Sequence, residues 1–441
     1  MSNKRSFERI EQITNKLRDS FENSPYEEAV KEDIGDAVVK DSLLLSVVIP
    51  ARNEFPNIVH TIYSIWHCWE ADGYAPQDIE IIIVDNCSRN WEDEKYDWSK
   101  PGDRGTVTYL MPRGAYNDKR IRVLYDPIPG NHSARNKGAA IARGKYVFFS
   151  DAHMAYKPGS FKAALKACEE SGGIVHFGIN WMGAYAKDHE DSRTGMQYTI
   201  KLGEEWKGTW NPYRPWSDKW FYIPAQGHCS VLVNRKQFLD FRGYPPVHRT
   251  YGGGEFYMNM KWWMFGSCVV AEPRAIGYHL ASGRGYTYTH DDYIHNVLNC
   301  AYAIGADDWR ERTYLNYLRR GKKDILDRMM RNGEKEMASD RAFIASRKVK
   351  TFNDLLVERP WDEKNMERGG AKNSSMLIFH YSWLDLVDKG GGGAPPAPHV
   401  RKLYDESPLQ QELARFITTK LHDHVYKWQN YESKEEEGET V

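Results

Sequence analysis

The sequence of 441 residues predicts an α/β fold in which helices cover a mostly parallel central sheet. Three observations support this prediction. Short apolar runs alternate with segments of helical periodicity, which is the order that right-handed crossovers between parallel strands produce. The runs are continuously apolar, as in strands that are buried on both faces. Polar residues follow directly after the runs, where ligands bind in open α/β sheets.

The elements follow one another in a regular order. The apolar run LLLSVVIP (43–50) ends at a proline and is predicted as the first strand. In the next segment apolar residues recur at helical spacing, at Ile58, Ile62, Ile65, Trp66 and Trp69. Further strands are predicted at IEIIIVDNCS (79–88), IRVLYD (121–126) and YVFFSDAH (146–153), with a small-residue helix at SARNKGAAIARGK (133–145).

The pattern changes in the second half of the chain. Strands and helices continue to about residue 290 and include the Gly-rich turn and helix GGGEFYMNMKWWMFG (252–266) and the strand SCVVAEP (267–273). Beyond this point the sequence is helical and charged. We therefore predict a helical N-terminal extension (1–40), an α/β domain (41–290), a helical region (291–388), a Gly/Pro linker (389–399) and a C-terminal helix with an acidic tail (400–441).

The composition narrows the functional class. The formal net charge is −1, which gives no global basic field for gathering nucleic acid or anionic membrane. No apolar run approaches the roughly 20 residues of a membrane-spanning helix. The charged N-terminus lacks the apolar segment of a signal peptide, and the cysteines form no CxxC pair. We expect a soluble cytoplasmic protein with reduced thiols.

Asp151 and His153 end the strand that begins at Tyr146. Because strand side chains alternate between faces, these two side chains point the same way if the extended conformation persists. A carboxylate and an imidazole that converge there form half of a divalent-metal site, of the mixed kind that suits Mn²⁺ (or Mg²⁺). The alternative is a turn in which Asp151 is a cap and His153 is an ordinary surface residue.

Other strand ends and one helix start carry candidate ligand contacts. Arg52 and Glu54 follow the first strand, and Asp85 ends the apolar part of the second. Asp85 suits either a turn cap or a contact with a ribose or a base. In GNHSARNKG (130–138), backbone N–H groups at a helix start suit an anionic phosphate, together with Arg135 and Asn136.

Four segments together resemble a known family. In this order, SVVIPARNE, IIIVDNCS, ARNKGAAIARGKYVFFSDAH and GGGEF are similar to the landmarks of GT-A glycosyltransferases of family 2, over about residues 43–317. The segments DAH, YGGGEFYMNMKWWMFG and AIGYHL resemble polypeptide N-acetylgalactosaminyltransferases, which use Asp-x-His where most relatives use Asp-x-Asp. Two positions depart from that pattern: Gly254 takes the first acidic place after the glycines, and His279 is offset by one residue.

The resemblance implies a Rossmann-like GT-A domain that binds a nucleotide sugar, expected to be UDP-linked. It would transfer a hexosyl or N-acetylhexosaminyl group to a hydroxyl acceptor on a protein, a glycan or a modified nucleic acid. Asp151 and His153 would hold the metal, with His279 as a third ligand. In inverting relatives the acid equivalent to Glu255 is the general base, and in retaining relatives it positions the acceptor or the sugar. The donor contacts implied are Pro50, Arg52, Glu54, Asp85, Arg135, Asn136 and, in the loop ASGRGYTY (281–288), Arg284.

Competing interpretations of these residues stay open. Glu255 suits a helix N-terminus whatever its role in catalysis, and Arg284 is also explained as an exposed loop cation. Tryptophans of the long loop before residue 228 either stack on a ligand or pack within the loop; they are Trp206, Trp210, Trp216 and Trp220.

Three alternative functions also stay open. A glycosyltransferase that acts on modified bases of DNA or RNA would use the basic segment YLRRGKKDILDRMMR (317–331), although a solvated helix face is the default for such a segment. A catalytically degenerate GT-A scaffold or binding protein would explain the glycine at position 254. A nucleotidyltransferase would release pyrophosphate in place of a nucleoside diphosphate.

Overall fold

The structure is a computed structural model, and it describes most of the chain between residues 43 and 370. The described ranges are 43–54, 57–86, 88, 120–126, 129–182, 197–202, 208–212, 218–245, 247–280, 288–318 and 323–370. The predicted N-terminal extension, Gly/Pro linker and C-terminal helix therefore lie outside the described residues, as does Arg284.

Within these ranges the strands form one 11-stranded sheet in the order β3-β2-β1-β4-β10-β6-β11-β5, with β7 beside β6, β8 beside β7 and β9 beside β11. The strands are β1 (Leu43–Ala51), β2 (Ile79–Asn86), β3 (Ile121–Asp126), β4 (Gly144–Ser150), β5 (Met154–Tyr156), β6 (Ile174–Met182), β7 (Gln197–Leu202), β8 (Gly208–Pro212), β9 (Phe221–Tyr222), β10 (Ser230–Asn234) and β11 (Val269–Leu280). The first four strands of the sheet are mutually parallel, and β10 runs antiparallel between β4 and β6. The α/β fold class is confirmed.

Helices lie between the strands and after them. They are α1 (Asn57–Ala71), α2 (Asn131–Ile141), α3 (Ser160–Ser171), α4 (Arg235–Asp240), α5 (Gly254–Met264), α6 (His290–Ala303), α7 (Asp307–Leu318), α8 (Lys323–Arg347), α9 (Phe352–Glu358) and α10 (Pro360–Glu367). None of the described helices combines the length and the apolar character that a membrane-spanning helix needs.

The core forms where the apolar runs of the sequence meet. Val47, Val48 and Ile49 of β1 are fully buried, as expected for a strand covered on both faces. Helix α2 approaches β1 closely because it has a glycine at the contact: a Cβ on Gly138 would lie 2.4 Å from Cγ1 of Val48. The small residues of α2 therefore bring its N-terminal end close to the carboxyl ends of the parallel strands.

The helical region packs into the same core as the sheet. Met337 of α8 and Trp361 of α10 are completely buried in a cluster that includes the residues of β1. A buried polar contact also joins α5 to α8, since the hydroxyl of Tyr257 donates to the carboxylate of Asp340. Lys261, whose pKa is lowered to about 8 by burial, donates to the same hydroxyl and to the carbonyl of Gly243. The helical region also has a smaller apolar cluster of its own, formed by Ile294, Leu298, Tyr317, Leu326 and Met329. The boundary at residue 290 coincides with the start of α6 and stays a prediction.

Strand β11 is longer than the sequence predicts. The prediction ended at residue 273, whereas the strand continues to Leu280 with a register shift between Glu272 and Ile276. Arg274 interrupts the apolar pattern at this irregularity and pairs with Glu272 through two hydrogen bonds. The extension matters because it carries the strand as far as His279.

Candidate metal and donor site

Three candidate metal ligands meet beyond the carboxyl end of β4. Ligand atoms of Asp151, His153 and His279 all lie within 4.8 Å of one another, and all three residues are partly exposed. Oδ2 of Asp151 lies 3.5 Å from Nε2 of His279. The rings of His153 and His279 are 4.7 Å apart and almost perpendicular. The arrangement offers one carboxylate and two imidazoles around a single point.

The side chains converge through a turn and not through strand alternation. Strand β4 ends at Ser150, and residues 151–153 form a turn before β5 begins at Met154. The expectation of a persisting extended conformation was therefore wrong. His279 arrives from β11, which pairs antiparallel with β5 so that His279 is the partner of Met154.

Helix α1 holds this turn through its polar residues. Oγ1 of Thr61 accepts the N–H of Met154 at 2.8 Å and lies 3.0 Å from the carbonyl oxygen of Ala152. One turn further along the helix, Oγ of Ser64 accepts the N–H of Tyr156 at 2.8 Å. The sequence analysis missed these contacts, because Thr61 and Ser64 lie between the apolar residues of the stripe and carry no motif of their own.

Asp151 is held in its ionised form. The guanidinium of Arg135 donates to Oδ1 of Asp151 at 2.6 Å and to the carbonyl of His228 at 3.1 Å. Burial alone would raise the pKa of Asp151, but the hydrogen bond with His279 and the charge of Arg135 outweigh burial and lower this pKa. Asp151 therefore presents a carboxylate anion to the site at neutral pH.

Glu54 contacts the second candidate ligand. Its Oε2 lies 3.1 Å from Nδ1 of His153, and its side chain is only 10% exposed. The sequence analysis assigned Glu54 to the nucleoside, and that assignment stays a prediction beside the observed contact with His153. Asn53, immediately before it, has a left-handed backbone with φ 56°. The signal that could have revealed the turn is Asn53 itself, because asparagine is one of the few residues that adopt this conformation readily.

Three further candidate donor contacts are engaged in contacts within the protein. Both polar atoms of the Asn136 side chain bond to the backbone of Tyr244. Arg135 is 2% exposed, and its guanidinium is bonded to Asp151. Oδ1 of Asp85 accepts the N–H of Ser88 at 3.0 Å, which is the contact expected if Asp85 caps a turn. These placements favour supporting roles for Arg135, Asn136 and Asp85, whereas Pro50 and Arg52 are partly exposed at the end of β1.

Glu255 lies in the first turn of α5. Its negative charge, like that of Asp151, acts on the guanidinium of Arg135. Burial would lower the pKa of Arg135, but Tyr244, Asp151 and Glu255 together raise it. The helix start itself requires glycine, since Gly252 and Gly253 have φ values of 112° and 78°. Glu255 is partly exposed, so its carboxylate stands where the helix dipole favours negative charge.

A buried histidine explains the glycine at position 254. A Cβ on Gly254 would lie 2.5 Å from Cε1 of His132, in the middle of the contact between α5 and the start of α2. An acidic side chain in this place would collide with the ring. The departure from the family pattern at Gly254 therefore has a packing cause.

We expect Gly254→Ala to lower the free energy of unfolding by about 1–3 kcal/mol, because the added methyl group overpacks the ring of His132. Urea unfolding followed by circular dichroism measures the change. His132→Ala supplies the space for the methyl group, so the double variant should lose less than the sum of the two single variants. Strictly additive losses would contradict the contact.

His132 belongs to a layer of buried histidines beneath the site. Nδ1 of His132 lies 3.2 Å from Nδ1 of His248, and Asn259 of α5 contacts Nε2 of both His176 and His228. All four rings are at most 6% exposed. Burial lowers the pKa of each of them, to about 4 for His176 and about 3 for His248. The layer is therefore uncharged at neutral pH.

Of the remaining sequence candidates, Trp210 lies in β8, and Trp220 has a packing role. Trp220 is buried, donates from Nε1 to Glu170 and lies under the guanidinium of Arg368 at 3.5 Å. Trp206 and Trp216 lie outside the described residues. In the described part of the basic segment, Lys323 pairs with Asp327 at 2.6 Å and Leu326 is buried, as in a solvated amphipathic helix.

Residues 46–207 match the family described as "Glycosyl transferase family 2". The putative polypeptide N-acetylgalactosaminyltransferase 13 of Drosophila melanogaster is 22% identical over 287 residues, which are 60% of this chain and 48% of that protein. The chain thus spans about half the length of this curated relative. These two matches confirm the predicted resemblance to GT-A glycosyltransferases of family 2.

Two solved structures are also similar. GalNAc-T7, described with UDP, GalNAc and Mn²⁺, has a TM-score of 0.48 and 17% identity, covering 68% of this chain and 57% of that chain. S. aureus TarS 1-349, in complex with UDP-GlcNAc, has a TM-score of 0.40 and 16% identity, covering 78% of this chain and 88% of that chain.

Proposed function

We propose that this chain, whose residues 46–207 carry a family 2 glycosyltransferase domain, transfers a sugar from a UDP-linked donor to a hydroxyl acceptor with the help of Mn²⁺. The observation that carries the proposal is the convergence of Asp151, His153 and His279 beyond the carboxyl end of β4. Ligands of open α/β sheets bind at this edge. The name of the D. melanogaster relative supports an N-acetylhexosamine as the first donor sugar to test. A cytoplasmic location stays a prediction.

The three side chains fit a divalent ion of the first transition row. Imidazole is a ligand of transition metals, whereas Mg²⁺ prefers oxygen, so a set with two imidazoles favours Mn²⁺ over Mg²⁺. Asp151 contributes the anionic oxygen, because its pKa is lowered by His279 and Arg135 in spite of burial. A bound ion would stabilise the negative charge that develops on the leaving diphosphate.

The protein side chains then share the remaining tasks. Arg135 holds one oxygen of Asp151 and so fixes the direction of the other oxygen toward His279. Pro50 and Arg52, at the end of the neighbouring strand β1, are the candidates for contact with the nucleoside. Glu255 acts at the acceptor, either as the general base of an inverting reaction or by positioning the hydroxyl in a retaining one.

We expect Glu255→Gln to reduce the turnover number by about 100-fold or more, which is the usual contribution of a general base. The glutamine keeps the size of the side chain, so the affinity for the UDP-sugar with Mn²⁺ should change little. Steady-state rates of UDP release with acceptor, together with calorimetric binding of the donor, measure the two quantities.

Glu311→Gln, on the exposed face of α7, is the matched control and should behave as the unmodified protein. If Glu255→Gln also turned over at the normal rate, Glu255 would be a helix N-terminal residue without a catalytic role.

The alternatives lose part of their support. The degenerate scaffold was based on Gly254, for which the ring of His132 supplies a packing reason. The basic segment 317–331 is the sequence feature that pointed to a modified-base transferase, and its described part contains the ion pair between Lys323 and Asp327. Steep salt dependence of acceptor binding would restore the modified-base hypothesis, and release of pyrophosphate in place of UDP would indicate a nucleotidyltransferase.

A further inference from the structure

We propose that Glu54 is a positioning residue of the metal site, which fixes the tautomer and the orientation of His153 so that Nε2 of this ring becomes the ligand atom. The inference rests on the proposed metal-dependent function and assigns Glu54 a role other than the nucleoside contact that the family resemblance implied. Glu54 acts through His153 and does not touch the reacting groups.

The tautomer follows from the contact between the two side chains. An ionised carboxylate only accepts hydrogen bonds, so the atom of His153 that faces Oε2 of Glu54 at 3.1 Å has to carry the proton. That atom is Nδ1, and in a neutral imidazole the other nitrogen, Nε2, then holds the lone pair that a metal ion requires. A carboxylate behind a ligating histidine also increases the basicity of the ligand.

The two ligands of the turn are held by groups of opposite charge. Asp151 is bonded to a buried cation, Arg135, at 2.6 Å, whereas His153 is bonded to a buried anion, Glu54. The holders come from different elements, since Arg135 belongs to α2 and Glu54 follows β1. Each of the two ligands is therefore held by a protein group of its own.

A chain of hydrogen bonds fixes Glu54 in turn. Oδ1 of Asp85, at the end of β2, accepts the N–H of Ser88, and Oγ of Ser88 accepts the N–H of Asn53 at 2.9 Å. Asn53 has the left-handed backbone that turns the chain out of β1 just before Glu54. The contacts thus run from Asp85 at the end of β2, through Ser88, to the turn after β1 that carries Glu54.

The test is the affinity of the full chain for Mn²⁺ without any substrate, measured by calorimetry and by the electron paramagnetic resonance signal of unbound Mn²⁺. We expect Glu54→Ala to weaken binding by about 10–100-fold, as losses of carboxylates behind metal ligands do. Glu54→Gln keeps an oxygen that accepts from Nδ1, so its loss should be smaller than that of Glu54→Ala. Urea unfolding of both variants checks that they are folded.

A second measurement needs no metal. Long-range ¹H–¹⁵N correlation of the histidine rings reports the tautomer, and the signal of His153 is assigned by its disappearance in His153→Gln. We expect the proton on Nδ1 in the unmodified protein and a mixture of tautomers in Glu54→Ala. A proton on Nε2 in the unmodified protein would overturn the proposal.

The outcomes separate this proposal from the proposed function. If Asp151→Asn weakens Mn²⁺ binding and Glu54→Ala does not, the metal site stands and the role of Glu54 is refuted. If the unmodified protein binds no Mn²⁺, the metal-dependent function is refuted and the role of Glu54 with it.

Discussion

Replacing Asp151 is expected to abolish Mn²⁺-dependent release of UDP from the nucleotide sugar, with a loss of at least about 100-fold in rate. The carboxylate supplies the anionic oxygen of the site, and an ion that is lost or misplaced no longer stabilises the leaving diphosphate. Asp151→Asn is the preferred change, because the amide oxygen still accepts from the buried Arg135. In Asp151→Ala this guanidinium loses its carboxylate partner, and the buried cation left behind lowers the stability of the protein.

The measurement is the release of nucleoside diphosphate from a panel of UDP- and GDP-sugars, with and without Mn²⁺. His153→Ala should show the same loss as Asp151→Asn. Asp240→Asn removes an exposed carboxylate that pairs with Lys236 on α4, and it should leave the rate unchanged. Equal turnover of Asp151→Asn and the unmodified protein would show that the DAH turn is not a donor-metal site, and absence of any donor cleavage would favour the scaffold interpretation.

Acidification is expected to destabilise the protein strongly below pH 6.5, well before its carboxylates become protonated. Burial lowers the pKa of His132, His176, His228 and His248, so these rings stay neutral in the folded state. In the unfolded chain they titrate near the ordinary value of about 6.5. The unfolded state therefore binds more protons as the pH falls, and stability decreases from pH 6.5 downward toward the folded-state pKa values.

The size of the effect follows from proton linkage. Between pH 6.5 and 5.5 each buried histidine contributes a loss of about 1 kcal/mol, so the four together remove about 4 kcal/mol. Such a loss is a large part of the 5–15 kcal/mol by which domains are stable. Urea unfolding at pH 7.5, 6.5 and 5.5 measures the dependence. His248→Asn should make it shallower, and His67→Asn, at an exposed position of α1, should not. A free energy of unfolding that is constant over this range would contradict the buried neutral layer.

The sequence was sufficient to predict the strands of the parallel half of the sheet. β1, β2 and β3 begin at the predicted residues, because continuous apolar runs bounded by polar residues leave few other conformations. The convergence of Asp151, His153 and His279 was also expected, although His279 was expected only from the family resemblance. The strands were predictable from runs of adjacent apolar residues, and the three candidate metal ligands from motifs that follow one another in a fixed order.

What the sequence could not give depends on single backbone angles and on long-range contacts. The left-handed conformation of Asn53 turns Glu54 toward His153, and nothing in the run ARNEF distinguishes this path from one toward a nucleoside. The position of Arg135 behind Asp151 depends on the close approach of α2 to β1 at Gly138, which only the folded structure defines. The sequence therefore predicted which polar residues lie near the site. It did not predict which of them contact the candidate metal ligands.

Helix α5 begins with Glu255 and, two turns later, buries Lys261 beside the pair formed by Tyr257 and Asp340. Helix α5 thus carries the proposed acceptor-site residue Glu255 at its start and the contact with α8 further along. The sheet and helices α6 to α10 are therefore expected to be exchangeable only together: helices without Asp340 would leave Lys261 without its acidic neighbour and would loosen the start of α5. A substitution of Asp340 on α8 is then expected to shift the start of α5, where Glu255 lies.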